Sequence, residues 1–153
     1  MTTTHHDARG RALFRYTADM VVFYRDDVLL IERGTDPFKG LRAFPGGHVA
    51  HDENSREAAV RELAEETGVH VRIDHTHRVG VYDAPGRDPR GPVVATVYAV
   101  SVPQRPVIHH GDDAARAVWV DVETALEGSL AFDHHDALND AYSLLLIRRL
   151  DHY

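Results

Sequence analysis

A chain of 153 residues, 43% of them hydrophobic and 27% charged, has the makeup of one globular domain with enough apolar side chains for a core. Its net charge of −7 argues against a nucleic-acid backbone as partner, and the absence of cysteine removes disulfides and thiol chemistry from fold and reaction alike. No apolar run approaches the roughly 20 residues of a membrane span, and the amino-terminal stretch holds no signal-peptide core, so cytoplasmic residence is expected.

The first fifteen residues are polar and read as a flexible leader to a single domain over residues 16–153. His5 and His6 in such a leader read as inert rather than as metal ligands. Residues 20–24, the polar Arg25-Asp26-Asp27 and residues 28–31 read as strand, turn and strand, and their near-continuous apolar runs imply cover on both faces. Residues 34–40 form a loop, 41–44 a short extended piece, and Gly46-Gly47 a tight turn. Asn54 followed by Glu57 is a capping pair that opens a helix, and Gly68 ends it. Val60, Leu63, Ala64 and Thr67 form its buried side, which turns the acidic face outward.

Residues 69–82 begin as a strand, with Val71 and Ile73 alternating against polar neighbours and His75 and His77 on a solvated edge. Residues 83–92 are a loop crowded with Pro and Gly, 93–102 a long strand, and Val107-Ile108 a short one. A polar loop at 109–116 precedes a last strand at 117–120. Asp121 caps a short helix through Leu126, and Asp133 caps a longer one to about Leu150. That helix carries the apolar stripe Ala137, Leu138, Ala141, Leu144 and Leu145, with Ile147 at its margin. The whole reads as α/β, helices packed on a mixed sheet.

Chemistry gathers on the central helix. Glu62, Glu65 and Glu66 stand at i, i+3 and i+4, on one face within one turn, where like charges cost about 0.2–0.5 kcal/mol per pair. Crowded carboxylates on a rigid element suit hard cations such as Mg²⁺, which take oxygen ligands. The pattern is stricter still: Gly47, five residues, Glu53, seven residues, Arg61-Glu62-Leu63, one residue, Glu65-Glu66, one residue, Gly68-Val69. Seven fixed residues at such spacing match by chance about once in 10⁸ starting points.

This stretch resembles the Nudix box, the signature of hydrolases that cleave nucleoside diphosphates linked to another moiety. The resemblance implies an α/β/α sandwich and Mg²⁺, with Mn²⁺ as a substitute. It makes Glu62 and Glu66 metal ligands, Glu65 an assistant and the Gly46 carbonyl a further ligand. It also implies that Arg61 orients a carboxylate and that Glu53 pairs with Arg61 to hold loop against helix.

The segments YDAPGRDPRGPVVATVYAV and LAFDHHDALNDA resemble the ADP-ribose pyrophosphatase branch, whose reaction would give AMP and ribose 5-phosphate. Arg87 and Arg90 beside Asp88 then suit a phosphate and a ribose hydroxyl, and Arg33 is another phosphate contact. An oxidised-nucleotide triphosphate hydrolase and a non-catalytic ADP-ribose sensor are the alternatives. The partner expected is a small nucleotide rather than nucleic acid or membrane, with a homodimer left open. One departure stands out: the branch often has a Glu where this chain has Arg116. The general base therefore falls to His110, Asp112, Asp113, Glu65 or Glu66.

Overall fold

The computed structural model describes residues 5–109 and 116–150 of the chain. The strands are β1 (Arg15–Tyr24), β2 (Asp27–Glu32), β3 (Arg42–Ala43), β4 (Gly46–His48), β5 (His77–Tyr82), β6 (Val93–Ser101) and β7 (Ala117–Asp121). The helices are α1 (Ser55–Thr67), α2 (Val122–Glu127) and α3 (His134–Leu150).

The strands form one mixed sheet in the order β3-β2-β1-β6-β5, with β4 paired to β1 and β7 to β2. Among the strands of the described residues only the β1–β6 pairing is parallel, running from Arg15 opposite Val93 to Phe23 opposite Ser101. Because side chains alternate along a strand, β1 and β2 feed two cores. Met20, Val22 and Leu29 meet Ala58, Ala59 and Leu63 of α1 on one face. Val21, Phe23, Val28 and Leu30 meet Ala137, Leu138 and Ala141 of α3 on the other. This double cover is the reason for the unbroken apolar runs, and the layers make the expected α/β/α sandwich. No helix among the described residues is long and apolar enough to cross a membrane.

α1 is fixed at both ends. The Glu57 N–H donates to the Asn54 side chain at 2.8 Å and the Asn54 N–H to Glu57 Oε1 at 3.2 Å, while Gly68 closes the helix in the left-handed conformation. Such a cap is worth about 0.5–2 kcal/mol.

Several local expectations are corrected. Residues 69–72 are not a strand, and residues 73–75 form a single 3₁₀ turn. Short side-chain bonds win there over sheet pairing: Arg72 grips Asp74, the Thr76 hydroxyl donates to the Ile73 carbonyl, and Arg56 holds the Thr76 carbonyl. His75 therefore lies on the turn and His77 on β5. Val107-Ile108 pairs with no strand among the described residues, and Val107 is 75% exposed. Ile147 is exposed rather than marginal, at 56%. In the leader, His6 and Ala12 form an isolated antiparallel bridge braced by an Asp7–Arg11 pair.

Gly46-Gly47 is not a turn either. Both residues are extended in β4, opposite Asp19 and Ala18 of β1. Their lack of a side chain serves close approach. A Cβ on Gly46 would overlap Asp19 Oδ1 and stand 2.5 Å from the Ala18 carbonyl oxygen, whereas one on Gly47 would meet the Glu62 carboxyl carbon at 2.5 Å. Backbone cannot yield as a side-chain end can. Gly46→Ala is therefore expected to lower stability by about 1–3 kcal/mol and Gly47→Ala by clearly less, compared by urea midpoints.

Candidate active site

The Arg61 guanidinium is the hub. Its Nε and Nη2 donate to Glu53 at 2.9 and 2.6 Å, Nη2 also to the His48 carbonyl at 3.1 Å, and Nη1 to Glu62 at 2.9 Å and Glu65 at 3.1 Å. These bonds use every N–H that a guanidinium has. They tie the loop after β4 to the last turns of α1. The hydrogen bonds from Arg61, with help from the Ala50 N–H, hold the Glu53 carboxyl down to about 2. The same partners, Glu53 foremost, hold Arg61 above its already high ordinary value.

Glu66 departs from the outward acidic face that its spacing suggests. Its Oε2 is buried without a hydrogen-bond partner, and the side chain lines a cleft of about 210 Å³ between α1, β1, β4 and the start of α3. A larger hollow of about 450 Å³ lies near the other end of β1, beneath the second half of α3. His75 and His77 line it, but the expected site residues do not. Carboxylates and guanidiniums converge in the smaller cleft.

Gly46, Arg33, Arg87, Asp88 and Arg90 line that cleft with Glu66. The arginines are not equivalent. Arg87, its side chain 5% exposed, is held two-pronged by Asp133 at 3.0 and 2.7 Å. That carboxylate was expected to cap α3 and is used here instead. Arg90 is held by Asp88, at 3.1 Å from Nε and 2.9 Å from Nη2. Arg33 donates from Nε to the Pro37 carbonyl at 2.7 Å and lies over the Phe132 ring, 4.9 Å from its centroid. It has no carboxylate partner among the described residues, and its half-buried position lowers its pKa through desolvation. Among the described residues Arg33 is thus the guanidinium of the cleft without a carboxylate partner.

Sequence reasoning missed Asp19, His134, Phe132 and His48, all of which line the cleft. Asp19 had a signal, being a lone carboxylate in the apolar run of β1. Phe132 and His134 belong to the quoted LAFDHHDALNDA segment. Among the described residues no three His, Asp or Glu side chains stand as a ready-made metal cage, because Glu62 and Glu65 turn onto Arg61. His110, Asp112 and Asp113 lie outside the described residues. Arg116 accepts a backbone bond from the Glu32 N–H and is exposed.

A NUDIX domain model matches residues 13–148. The ADP-ribose pyrophosphatase of Methanocaldococcus jannaschii is 39% identical over 122 residues, covering 80% of this chain and 69% of that protein. The ADPR responsive transcriptional repressor NtrR of Acinetobacter baylyi is 35% identical over 135 residues, covering 84% of this chain and 53% of the repressor, so the chain spans about half that relative's length. The NUDIX domain of Shewanella oneidensis NrtR, in a cocrystal with ADP ribose, superposes with a TM-score of 0.80 at 28% identity, covering 92% of this chain and 94% of that one.

Burial pushes the Glu66 carboxyl up to about 8, the charges of Glu62 and Asp19 adding to the rise while the Gly46 N–H and Arg33 oppose it. Unfolded, the group loses its proton near 4.5, so between about 4.5 and 8 the folded chain keeps a proton that the unfolded chain has lost. Stability of the metal-free protein therefore falls as pH rises through that window. In the presence of a chelator, Glu66→Gln is expected to be the more stable protein at pH 8 by about 2–4 kcal/mol, after a discount for partial solvent access. The advantage should vanish near pH 4.5. Urea midpoints at the two pH values check this, and a variant less stable at pH 8 contradicts it.

Proposed function

The chain belongs to the NUDIX domain family, and we propose that it is a divalent-metal-dependent hydrolase of ADP-ribose that yields AMP and ribose 5-phosphate. The observation that carries the reading is the buried, unpartnered Glu66 Oε2 in a cleft that also holds Arg33, which has no carboxylate partner among the described residues. The relatives named an ADP-ribose pyrophosphatase and a domain cocrystallised with ADP ribose support that choice of substrate.

The residues present fit a hard cation. A buried carboxylate oxygen without a donor is costly unless it meets a proton or a metal, and the bare backbone at Gly47 lets the Glu62 carboxyl lie against β4. Glu62, Glu65, Glu66 and the Gly46 carbonyl would hold the ion, Mg²⁺ or Mn²⁺ in its place. When bound, such an ion supplies charge neutralisation on diphosphate oxygens and eases deprotonation of water.

The chain's own residues supply positioning, which dominates phosphoryl chemistry. Arg33 offers its terminal N–H groups to the diphosphate. Arg87 and Arg90, already braced by Asp133 and Asp88, shape the wall and present charge to a phosphate or a ribose hydroxyl. Arg61, with Glu53, keeps Glu62 and Glu65 oriented at the rim. Glu65 and Glu66 are the carboxylates on α1 available to take the proton of the attacking water.

The likeness to a repressor that responds to ADPR supports a second reading, binding without turnover. Product identification separates the two. With ADP-ribose and Mg²⁺, AMP and ribose 5-phosphate are expected. The same panel should show weaker turnover of nucleoside triphosphates and none of ADP-ribose with chelator. Tight ADP-ribose binding without products at any divalent ion would establish the sensor reading instead. Glu66→Gln is expected to lower kcat by about 100-fold or more while keeping the fold. Arg33→Ala should lower kcat/KM by about 10–100-fold, the value of a charged hydrogen bond.

A further inference from the structure

Asp19 and His134 are the part of the cleft that neither the α1 carboxylates nor the arginines explain. His134, the first residue of α3, is 3% exposed, and its ring stacks on Phe44 with centroids 4.4 Å apart. Its Nδ1 accepts the Phe44 N–H at 3.1 Å. An imidazole that accepts at Nδ1 is neutral and carries its proton on Nε2. That Nε2 faces Asp19 Oδ2 at 3.7 Å, just beyond hydrogen-bond length, and takes no hydrogen bond among the described residues.

Asp19 is 7% exposed, and no described residue donates a hydrogen bond to its carboxylate. Its side chain keeps 11% exposure, and a carboxylate that receives no hydrogen bond from the protein is open to a charged or protic partner. Its Oδ1 packs against Gly46, where any Cβ would overlap it. Glu66 lines the same cleft, with its Oε2 buried and without a hydrogen-bond partner. One divalent cation would meet the Asp19 carboxylate and the unpartnered Glu66 Oε2 together, with the Gly46 backbone between them.

We propose that His134 is a positioning residue, a neutral imidazole locked in one tautomer that turns the Asp19 carboxylate toward Glu66, and that Asp19 is thereby a further oxygen donor to the cation of the diphosphate site. The inference rests on the reading of the cleft as that site. The Phe44 N–H sets the tautomer, and the stacking sets the ring plane. Asp19 then receives a dipole rather than a full charge, which leaves its own negative charge for the metal.

The test is binding of Mn²⁺ alone to the full chain, without nucleotide, followed by the electron paramagnetic resonance signal of free Mn²⁺. Asp19→Asn is expected to weaken binding by about 10–100-fold. His134→Leu should weaken it comparably, and the double variant no further than Asp19→Asn, because the imidazole acts through the carboxylate. His134→Gln should stay close to the parent, since its amide can accept the Phe44 N–H and present an N–H to Asp19. Circular dichroism reports folding. If His134→Leu does not fold, Asp19→Asn and His134→Gln decide alone. Unchanged Mn²⁺ affinity in folded Asp19→Asn, in a parent that binds Mn²⁺ and hydrolyses ADP-ribose, overturns this proposal and spares the functional reading. A parent that binds no Mn²⁺ overturns both.

Discussion

Three carboxylates crowd one helical turn, and the Arg61 guanidinium holds two of them, Glu62 and Glu65, in place. Its planar fork reaches Glu62 and Glu65 on α1 and Glu53 and the His48 carbonyl on the preceding loop. A lysine could not do the same, because a single ammonium lacks both the reach and the fixed divergence of five donors. The bonds bring charge balance, and they also join two elements that the backbone alone leaves separate. Glu53 is held ionised well below its usual range, so the lock persists far into acid.

With that lock in place, the glycine pair determines how deep the site can go. β4 lies against β1 and under α1 with no side chain between, which admits Glu62 on one side and Asp19 on the other. Glu66 escapes Arg61 altogether and turns into the cleft, where burial makes its charge expensive. The site therefore has two tiers. At the rim Glu62 and Glu65 are paired with Arg61, and inside the cleft Glu66 Oε2 has no hydrogen-bond partner among the described residues. The arginines follow the same division, for Arg87 and Arg90 are neutralised by Asp133 and Asp88, while Arg33 is not.

Much of this was legible in the residues. Apolar runs without alternation in β1 and β2 announced double cover, and the Asn54–Glu57 pair with Gly68 placed both ends of α1. The resemblance to the Nudix box implied the pairing of Glu53 with Arg61 that the structure holds. Periodicity gave no access to the inward turn of Glu66, because i, i+3 and i+4 positions share a face only approximately and the glycine backbone lets one of them slip beneath. Gly46-Gly47 shows the same limit, since two glycines signal a need for missing side chains but not whether for φ freedom or for close approach. The strand expected from residue 69 failed where Arg72, Asp74 and Thr76 formed local bonds that alternation does not register. Asp19 and His134 are 115 residues apart in sequence order, and only the sheet brings them together.

The proposed function requires that cation and diphosphate meet in this cleft, between α1 and Arg33. Its most direct test is a crystal structure with Mn²⁺ and a methylene-bridged analogue of ADP-ribose, the metal located by anomalous scattering. Anomalous density is expected beside the Glu62 and Glu66 carboxylates and the Gly46 carbonyl oxygen, with a phosphonate against the Arg33 guanidinium. Metal density away from α1, or the analogue seated in the larger hollow beneath α3, would contradict it.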